Sequence, residues 1–468
     1  MKKDNFTKMT FGSITILVVL VGIFIFLNNF TKPHVNDIQI QGEKTAADFS
    51  NQKLRFDFNR PIKKTDVTNL ATAKPSSKFQ AIWSGNSLFI IFNETLSTST
   101  NYKVELNKDN IEDIYGVKPE ANIVYEFQTK KQRLAYIERV NGQNDKIVIA
   151  DVDFSNKETL YETPKIKFFG INSDYLVVVT EPSKASDIVV VNRKTQEGYS
   201  LGFKNVLIES FDLSPTKNEF TYTKQDIEIL NNYYVPKSST SVQIYNLDNK
   251  EDKTFNPQNS ATNVIEVKYS KDGNSLLYKS ADSFFNLSEI DNSDNVISIG
   301  RYMAKGNFNF DSSKIIFLNY DPLLTYLKYQ FIVTFDSSRN IKQLTDGTKS
   351  VLDPLYLNKS DKILYSELYK DLEGTKGIFN VSLIDEDGNK TVIVKDENNS
   401  LELPKPSPDD RYIVMEKYNQ TELEDYTSSR NFGFQNKPYT GSLIVYDSKD
   451  GTIIDKSIRG ISAYWLTN

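Results

Sequence analysis

The residue types that usually carry chemistry are scarce in this chain. Its 468 residues include no cysteine and one histidine, His34. Without cysteine there is no disulfide, no thiolate nucleophile and no cysteine zinc site. A single histidine excludes multi-histidine metal sites and keeps Ser-His-Asp triads out of every segment that lacks it. Carboxylates remain. Asp151-Val152-Asp153-Phe154-Ser155 spaces its oxygens like the opening of a calcium loop, but the sixth residue is Asn156 where glycine is required. It reads better as a hairpin turn, a place that Asp, Asn and Ser commonly fill. Asp385-Glu386-Asp387-Gly388-Asn389 also reads as a hairpin turn, with Asp-Gly at its tip. A carboxylate pair could run glycoside hydrolysis, yet among 61 acidic residues the sequence singles out no pair. No G-x-S-x-G element follows the last repeat. No catalytic residue, cofactor or metal ligand is assigned, and the expectation is a protein that is not an enzyme.

The elements that could position a site come next. Hydrophobic residues make up 39% and charged residues 25%, which is ordinary for a globular chain. The balance of 56 basic against 61 acidic residues argues against a nucleic-acid partner. The length implies two or three domains. The first apolar run, Phe11 to Leu27, extends back to Met9 and holds no charge, about the length that spans a bilayer core. Lys2, Lys3 and Lys8 precede it against Asp4 alone, which holds the N-terminus inside the cell. Asn28-Asn29-Phe30-Thr31 offers no small-residue cleavage site. The sequence therefore predicts a cytoplasmic stub (1–8), an uncleaved signal anchor in the lipid bilayer (9–30), and extracytoplasmic domains beyond it.

Between residues 35 and 130 the pattern is short alternating runs, such as Leu54-Arg55-Phe56-Asp57-Phe58 and Tyr102-Lys103-Val104-Glu105-Leu106. Period two marks strands with one buried face, and several in about 100 residues suggest a β-sandwich. The run Phe58-Asn59-Arg60-Pro61-Ile62, the hairpin Trp83-Ser84-Gly85-Asn86-Ser87-Leu88, the turn Leu96 to Tyr102, the Asp113-Ile114-Tyr115-Gly116 element and the closing Phe127-Gln128-Thr129 occur in the order of bacterial Ig-like domains of the surface-layer-protein type. The segment resembles that family. The resemblance implies a spacer or adhesive module. Trp83 stands in an alternating strand and, as a large aromatic, reads as core, with a ligand platform as the alternative.

Residues 131–468 repeat. A short apolar strand recurs seven times, ending at Tyr136, Val178, Tyr222, Tyr278, Phe317, Tyr365 and Met415, and a turn-rich stretch precedes it in unit after unit. A strand-only repeat of about 40–50 residues signals propeller blades. The preceding turns include Ser214-Pro215-Thr216-Lys217, Ser270-Lys271-Asp272-Gly273 and Ser407-Pro408-Asp409-Asp410. These units resemble those of the TolB-like propeller family. The first unit lacks the turn and an innermost strand, while Ile461 to Leu466 is a strand left over at the end. A ring of sheets must close or expose edges, so the last strand should complete the first blade, with Trp465 packing the closure. The fold class is all-β: a seven-bladed propeller, a small Ig-like sandwich and one N-terminal transmembrane helix.

Insertions follow the tagged strand at Gln225–Ser239, Asn319–Tyr329 and Tyr418–Thr440, with a lesser one at Leu368–Lys376. All occupy the same slot of the blade, hence the same face. They carry Tyr233, Tyr234, Tyr320, Tyr326, Tyr329, Tyr418, Tyr426, Phe432, Phe434 and Tyr439. Insertions on one face of a repeat array often mark its binding face, and aromatic loops suit protein or glycan contact; the alternative is that these aromatics pack on one another and roof the propeller. The expected function is a membrane-anchored scaffold of a bacterial envelope that binds an envelope protein or glycan of unknown identity. The alternatives are a carboxylate-based glycosidase or lyase, or a polysaccharide-binding lectin.

Overall fold

The computed structural model describes the chain apart from residues 1, 31, 41–52, 65–68, 94–95, 141, 184, 231–232, 258–262, 283, 302, 321–329, 337, 346–349, 371–376, 420–440 and 467–468. It divides into two compact units, Met1–Lys130 and Lys131–Thr467. The chain opens with helix α1, Lys2–Phe30. The side chains described on it run from Met9 to Ile23, and its large apolar ones are exposed, Phe11, Ile16 and Leu20 among them. Among the described residues no helix is long and apolar enough to cross a membrane.

The rest of the first unit is a sandwich of two antiparallel sheets. Its strands are β1 (Val35–Ile40), β2 (Lys53–Phe58), β3 (Ala71–Lys74), β4 (Phe79–Ser84), β5 (Ser87–Phe92), β6 (Asn101–Leu106) and β7 (Ile123–Gln128). One sheet has the order β1-β2-β5-β4 and the other β3-β6-β7. Alternation puts Leu54, Phe56, Leu88, Ile90, Val104 and Leu106 into the core between them. The sequence motifs turn out to be one another's partners. Buried Arg60 donates to Asp113 Oδ2 at 2.7 Å, 53 residues away. Asp113 Oδ1 accepts the backbone N–H groups of Tyr115 and Val117, at 2.9 and 2.8 Å. Gly116 supplies the left-handed backbone (φ +82°) that this nest needs. Burial alone would raise the Asp113 carboxyl, but the bonds from Arg60 and the two amides hold it below its ordinary value. Likewise Tyr102 Oη accepts the Ser97 N–H at 2.9 Å, and Thr129 Oγ1 donates to the Ser97 carbonyl at 2.6 Å. Trp83 packs on this core, its ring 5.7 Å from that of Phe58.

Among the described residues, the second unit holds seven antiparallel sheets, blades 1–7 in chain order. In blades 2 and 4–7 four consecutive strands pair in sequence order. The first strands are Ile166–Ile171, Val264–Tyr269, Met303–Phe308, Ser350–Tyr356 and Asn399–Pro406. First strands of successive blades lie against one another, so they line the axis, while fourth strands such as Ile341–Gln343 are exposed along their length. The middle strands are buried on both faces, which is why they read as continuous apolar runs. In Ser275–Ser280, for example, Leu276 and Tyr278 pack against Val242 and Ile244 of blade 3, whereas Leu277 packs against Phe317 of blade 5. Equivalent clusters join every neighbouring pair around the ring. The last brings Leu443 and Val445 of blade 7 against Leu134 and Tyr136 of blade 1.

Closure is made by the final strand. Blade 1 has the order Glu158–Thr163, Asp145–Asp151, Arg133–Glu138, Ile461–Trp465, so its innermost strand comes from the far end of the chain. Trp465 pairs with Leu134 and Tyr464 with Ala135. Trp465 stacks on Tyr412 of blade 7 and donates from Nε1 to the Lys405 carbonyl at 2.8 Å.

The repeated turns explain their own sequence. The opening Ser or Asn is buried and holds the turn from inside: Ser270 Oγ accepts Ser275 N–H and Ser407 Oγ accepts Tyr412 N–H, both at 2.9 Å. The later turn residues then tie to the preceding blade. Thr216 Oγ1 donates to the Asp272 carbonyl at 3.0 Å, and Lys271 N–H to Ser312 Oγ at 2.9 Å. Asn309 Nδ2 donates to Asp361 at 2.9 Å, and the Asn358 and Lys359 N–H groups to Asp410 at 2.8 Å. Gly273 (φ +72°) has no room for a side chain, because a Cβ there would stand 2.2 Å from Thr216 Oγ1. Blades 3 to 7 are thus laced turn to turn.

Deleting Ile461–Asn468 removes three buried side chains, Ile461, Ala463 and Leu466, and bares one edge of blade 1. Each lost large apolar side chain costs about 2–5 kcal/mol, so the melting temperature should fall by about 10 °C or more. Calorimetry showing an unchanged melt would refute closure by this strand.

Candidate functional site

Because each strand reverses the last, the second strand of every blade ends, and the third begins, at the same face of the ring. This is the face on which the sequence places its insertions. The largest departure from the plain blade that the structure describes is in blade 3. Its first strand is broken into Val206–Leu207 and Phe211–Leu213, and both parts pair with one long second strand, Glu219–Leu230. That strand has 12 residues where Ser275–Ser280 has 6, an overhang of roughly 20 Å at about 3.3 Å per residue. Tyr233–Pro236 folds back on it, pairing Leu230 with Tyr233, Ile229 with Tyr234 and Glu228 with Val235. The insertion therefore begins later than the sequence reading placed it: Gln225 to Leu230 continue the blade strand.

Register decides which side chains share a face. Leu230, Tyr233 and Val235 project together, and all three are exposed, Tyr233 to 74%. Ile229 is exposed on the other face, while Ile227 is buried at the root. Polar bonds clamp that root. Asp226 N–H donates to Ser238 Oγ at 3.0 Å, and Gln225 Nε2 to the Ser238 carbonyl at 3.1 Å. A Lys237–Glu228 pair at 3.4 Å crosses the hairpin. Burial raises the Tyr234 phenol, with Glu209 and Glu181 adding to the effect. The result is a ribbon whose tip presents Leu230, Tyr233 and Val235 on one face, with the Glu228–Lys237 pair on the same face nearer the ring. Leu230, Val235 and Ile229 were not among the candidate residues, although the alternation around Tyr233 and Tyr234 carries their signal.

The other candidates fare differently. Tyr320 ends the strand Lys314–Tyr320. Tyr326, Tyr329, Tyr426, Phe432, Phe434 and Tyr439 lie outside the described residues. Tyr418 is a correction. It belongs to the strand Tyr412–Asn419, is only 2% exposed, and packs with Ala135 and Ile461 where blade 7 meets blade 1. Its hydroxyl donates to Glu416, so it cannot serve as a contact on an exposed loop. The strand runs on past its tagged tetrad, and antiparallel pairing carries Tyr418 inward.

Tyr418 leads to a feature the sequence could not single out. Glu402 and Glu416 are direct cross-strand partners in blade 7, a spacing of about 5 Å between Cβ atoms. Both are 2% exposed. Glu416 also accepts the Ser462 N–H at 2.7 Å, and Glu402 accepts the Ser400 hydroxyl at 3.1 Å. The pair has the separation of a carboxylate dyad, but a general acid must reach the proton it transfers, and this one is sealed between strands. Its bonds tie blade 7 to the closing strand. The two acidic turns are held by their own bonds as well. Asn156 Nδ2 donates to Asp151 at 2.8 Å and Ser155 Oγ to Asp153 at 2.5 Å. Asn389 donates to Asp385 through N–H and Nδ2, at 2.8 and 3.0 Å.

Residues 30–129 match the family described as a bacterial Ig-like domain. No curated protein matches the sequence. Among solved structures, the chain is similar to TolB from Acinetobacter baumannii, at 15% identity and a TM-score of 0.41, covering 66% of this chain and 79% of that one. It is similar to a putative TolB from Agrobacterium tumefaciens at 13% identity and a TM-score of 0.36, covering 57% and 90%. An oligogalacturonate lyase in complex with manganese gives 10% identity and a TM-score of 0.45, covering 75% and 95%. The propeller assignment rests on the strand order and closed ring of the chain itself.

Tyr418→Phe leaves a buried carboxylate one donor short and should cost about 1–3 kcal/mol, whereas Tyr233→Phe should stay within about 0.5 kcal/mol of the parent. Equal denaturation midpoints for the two variants would contradict this division between core and surface.

Proposed function

We propose that the protein is a membrane-anchored, extracytoplasmic binding protein of a bacterial envelope, which captures a partner protein on the insertion-bearing face of its propeller. The observation that carries this reading is the blade 3 hairpin, where Leu230, Tyr233 and Val235 share one exposed face. Exposed apolar surface of this kind marks interaction sites, and aromatic anchors concentrate binding energy. A hairpin braced by a ring pays little ordering entropy on binding. The anchor rests on sequence: the uncharged run Phe11–Leu27 behind Lys2, Lys3 and Lys8. A bacterial Ig-like domain following it fits a spacer between bilayer and propeller. A carboxylate-based glycosidase or lyase gains no support from Glu402 and Glu416, which substrate cannot reach, and a glycan ligand is an outcome that binding assays would reveal.

The absence of cysteine makes topology directly testable. In intact spheroplasts a membrane-impermeant maleimide should label Tyr233→Cys, while Lys3→Cys should react only after lysis. The reverse pattern would overturn the orientation. For the binding face, alanine at Leu230, Tyr233 and Val235 together should weaken partner capture at least about thirtyfold, the equivalent of about 2 kcal/mol, with the melting temperature unchanged. A stable triple variant that binds its partner normally would move the site elsewhere.

A further inference from the structure

The end of the Ig-like sandwich at which the chain enters carries an exposed apolar tip. Val35 pairs with Phe58 and Leu106 with Ile123, so the start of β1, the end of β2 and the connection from β6 to β7 share that end. The residues after β2 join them. Asn59 N–H donates to the His34 carbonyl at 3.0 Å, Ile114 N–H to the Pro61 carbonyl at 3.3 Å and Lys63 N–H to the Glu112 carbonyl at 2.9 Å. Ile62 bridges Asp113. Buried Asp113 then opens a tight turn, its N–H donating to the Val117 carbonyl at 2.9 Å and its carbonyl accepting Gly116 N–H at 3.0 Å. Ile114 and Tyr115 stand at the tip, 56% and 63% exposed. A buried ion pair and these backbone bonds hold two large apolar side chains out in solvent, where the hydrophobic effect alone would draw them in.

The leading segment is docked onto the same end. Pro33 is buried. His34 N–H donates to Asn59 Oδ1 at 3.0 Å, and Asn59 Nδ2 donates to the Lys32 carbonyl at 3.4 Å. Lys32 Nζ stands 3.6 Å from Glu120, and Lys32, Pro33 and His34 share a groove with Pro119 and Ile123. The sandwich thus holds the chain from Lys32 onward, while helix α1 ends at Phe30. From Leu27, the last residue of the uncharged run, to Lys32 the path is three helical steps and two extended ones, about 11 Å. The headgroup layer outside the hydrocarbon core is about 5–8 Å deep. A chain anchored by that run therefore carries this end of the sandwich at the headgroup surface. The chain leaves from the opposite end, where the Lys130 carbonyl accepts the Ser99 N–H at 3.0 Å.

We propose that this end of the Ig-like domain is a lipid-binding seat, with Ile114 and Tyr115 entering the boundary between the headgroups and acyl chains of the bilayer that anchors the chain. The proposal rests on the anchor reading of residues 9–30. Tyrosine favours that depth, its ring in the apolar zone and its hydroxyl among the headgroups. The short tether makes the contact intramolecular, so two side chains suffice where a free domain would need more. Seated in this way the sandwich is an upright strut, with Lys130 on the side away from the bilayer.

The absence of cysteine lets a single nitroxide report each position. Full-length protein carrying one labelled cysteine is reconstituted in phosphatidylethanolamine–phosphatidylglycerol vesicles. Power saturation then compares the label's collisions with oxygen, which concentrates in lipid, and with a water-soluble nickel chelate. Val18→Cys reports the anchor alone and should favour oxygen. Tyr115→Cys should favour oxygen as well, and Ile114→Asp on that background should return the label to the chelate. Ile114 is exposed and joins the turn through its backbone, so this change keeps the fold. Ser76→Cys, exposed at the opposite end of the sandwich, should favour the chelate. If Val18→Cys favours the chelate, the anchor reading fails and the seat falls with it. If Val18→Cys favours oxygen but Tyr115→Cys favours the chelate, the anchor stands and the seat is overturned. A label at 115 shielded from both reagents marks a protein partner or a second copy on this tip. One whose oxygen preference survives Ile114→Asp is held by its own apolarity. Either result also overturns the proposal.

Discussion

One hydrogen-bonded pairing governs the second unit: strand Ile461–Trp465 on strand Arg133–Glu138, more than 320 residues earlier in the chain. A sheet cannot bury the faces of its end strands alone, and a row of sheets bares two flanks. Closing the row removes both flanks at once. The chain reaches closure by giving its first blade only three strands and holding the fourth until the end. Loop-closure entropy grows slowly with length, so a late strand is a modest cost against the core it seals. Tyr136, Leu443 and Ala463 meet in that seal, from two blades and both ends of the propeller sequence.

The rest depends on the closed ring. Tyr418, Glu416 and Ser462 make a buried polar tie that exists only when the last strand is in place. Lys405 and Trp465 make another. With blades fixed on both sides, one blade can carry a long hairpin without losing its own packing.

Much of this architecture was legible because it repeats. Second strands such as Lys314-Ile315-Ile316-Phe317 are apolar on both faces, and turns such as Ser407-Pro408-Asp409-Asp410 use residues with local bonding roles, so unit after unit declares itself. The orphan strand at the C-terminus was legible by counting. What the sequence concealed is set by register. Tyr418 looks like a loop aromatic until pairing with Ser400 fixes it inside. Glu402 and Glu416 are two acids among many until they face each other across a ladder. In the Ig-like unit the motifs were recognisable one by one, but that Arg60 and Asp113 are partners follows only from the fold.

Native-state hydrogen exchange of the final strand tests closure most directly. Amides paired in a core sheet exchange through global opening, whereas those of a frayed terminus exchange almost freely. Closure predicts that the amides of Ile461–Leu466 are protected as strongly as those of Leu276–Tyr278 in the middle of blade 4. Exchange of the last strand at the rate of an unstructured tail, with blade 4 still protected, would contradict the closed ring.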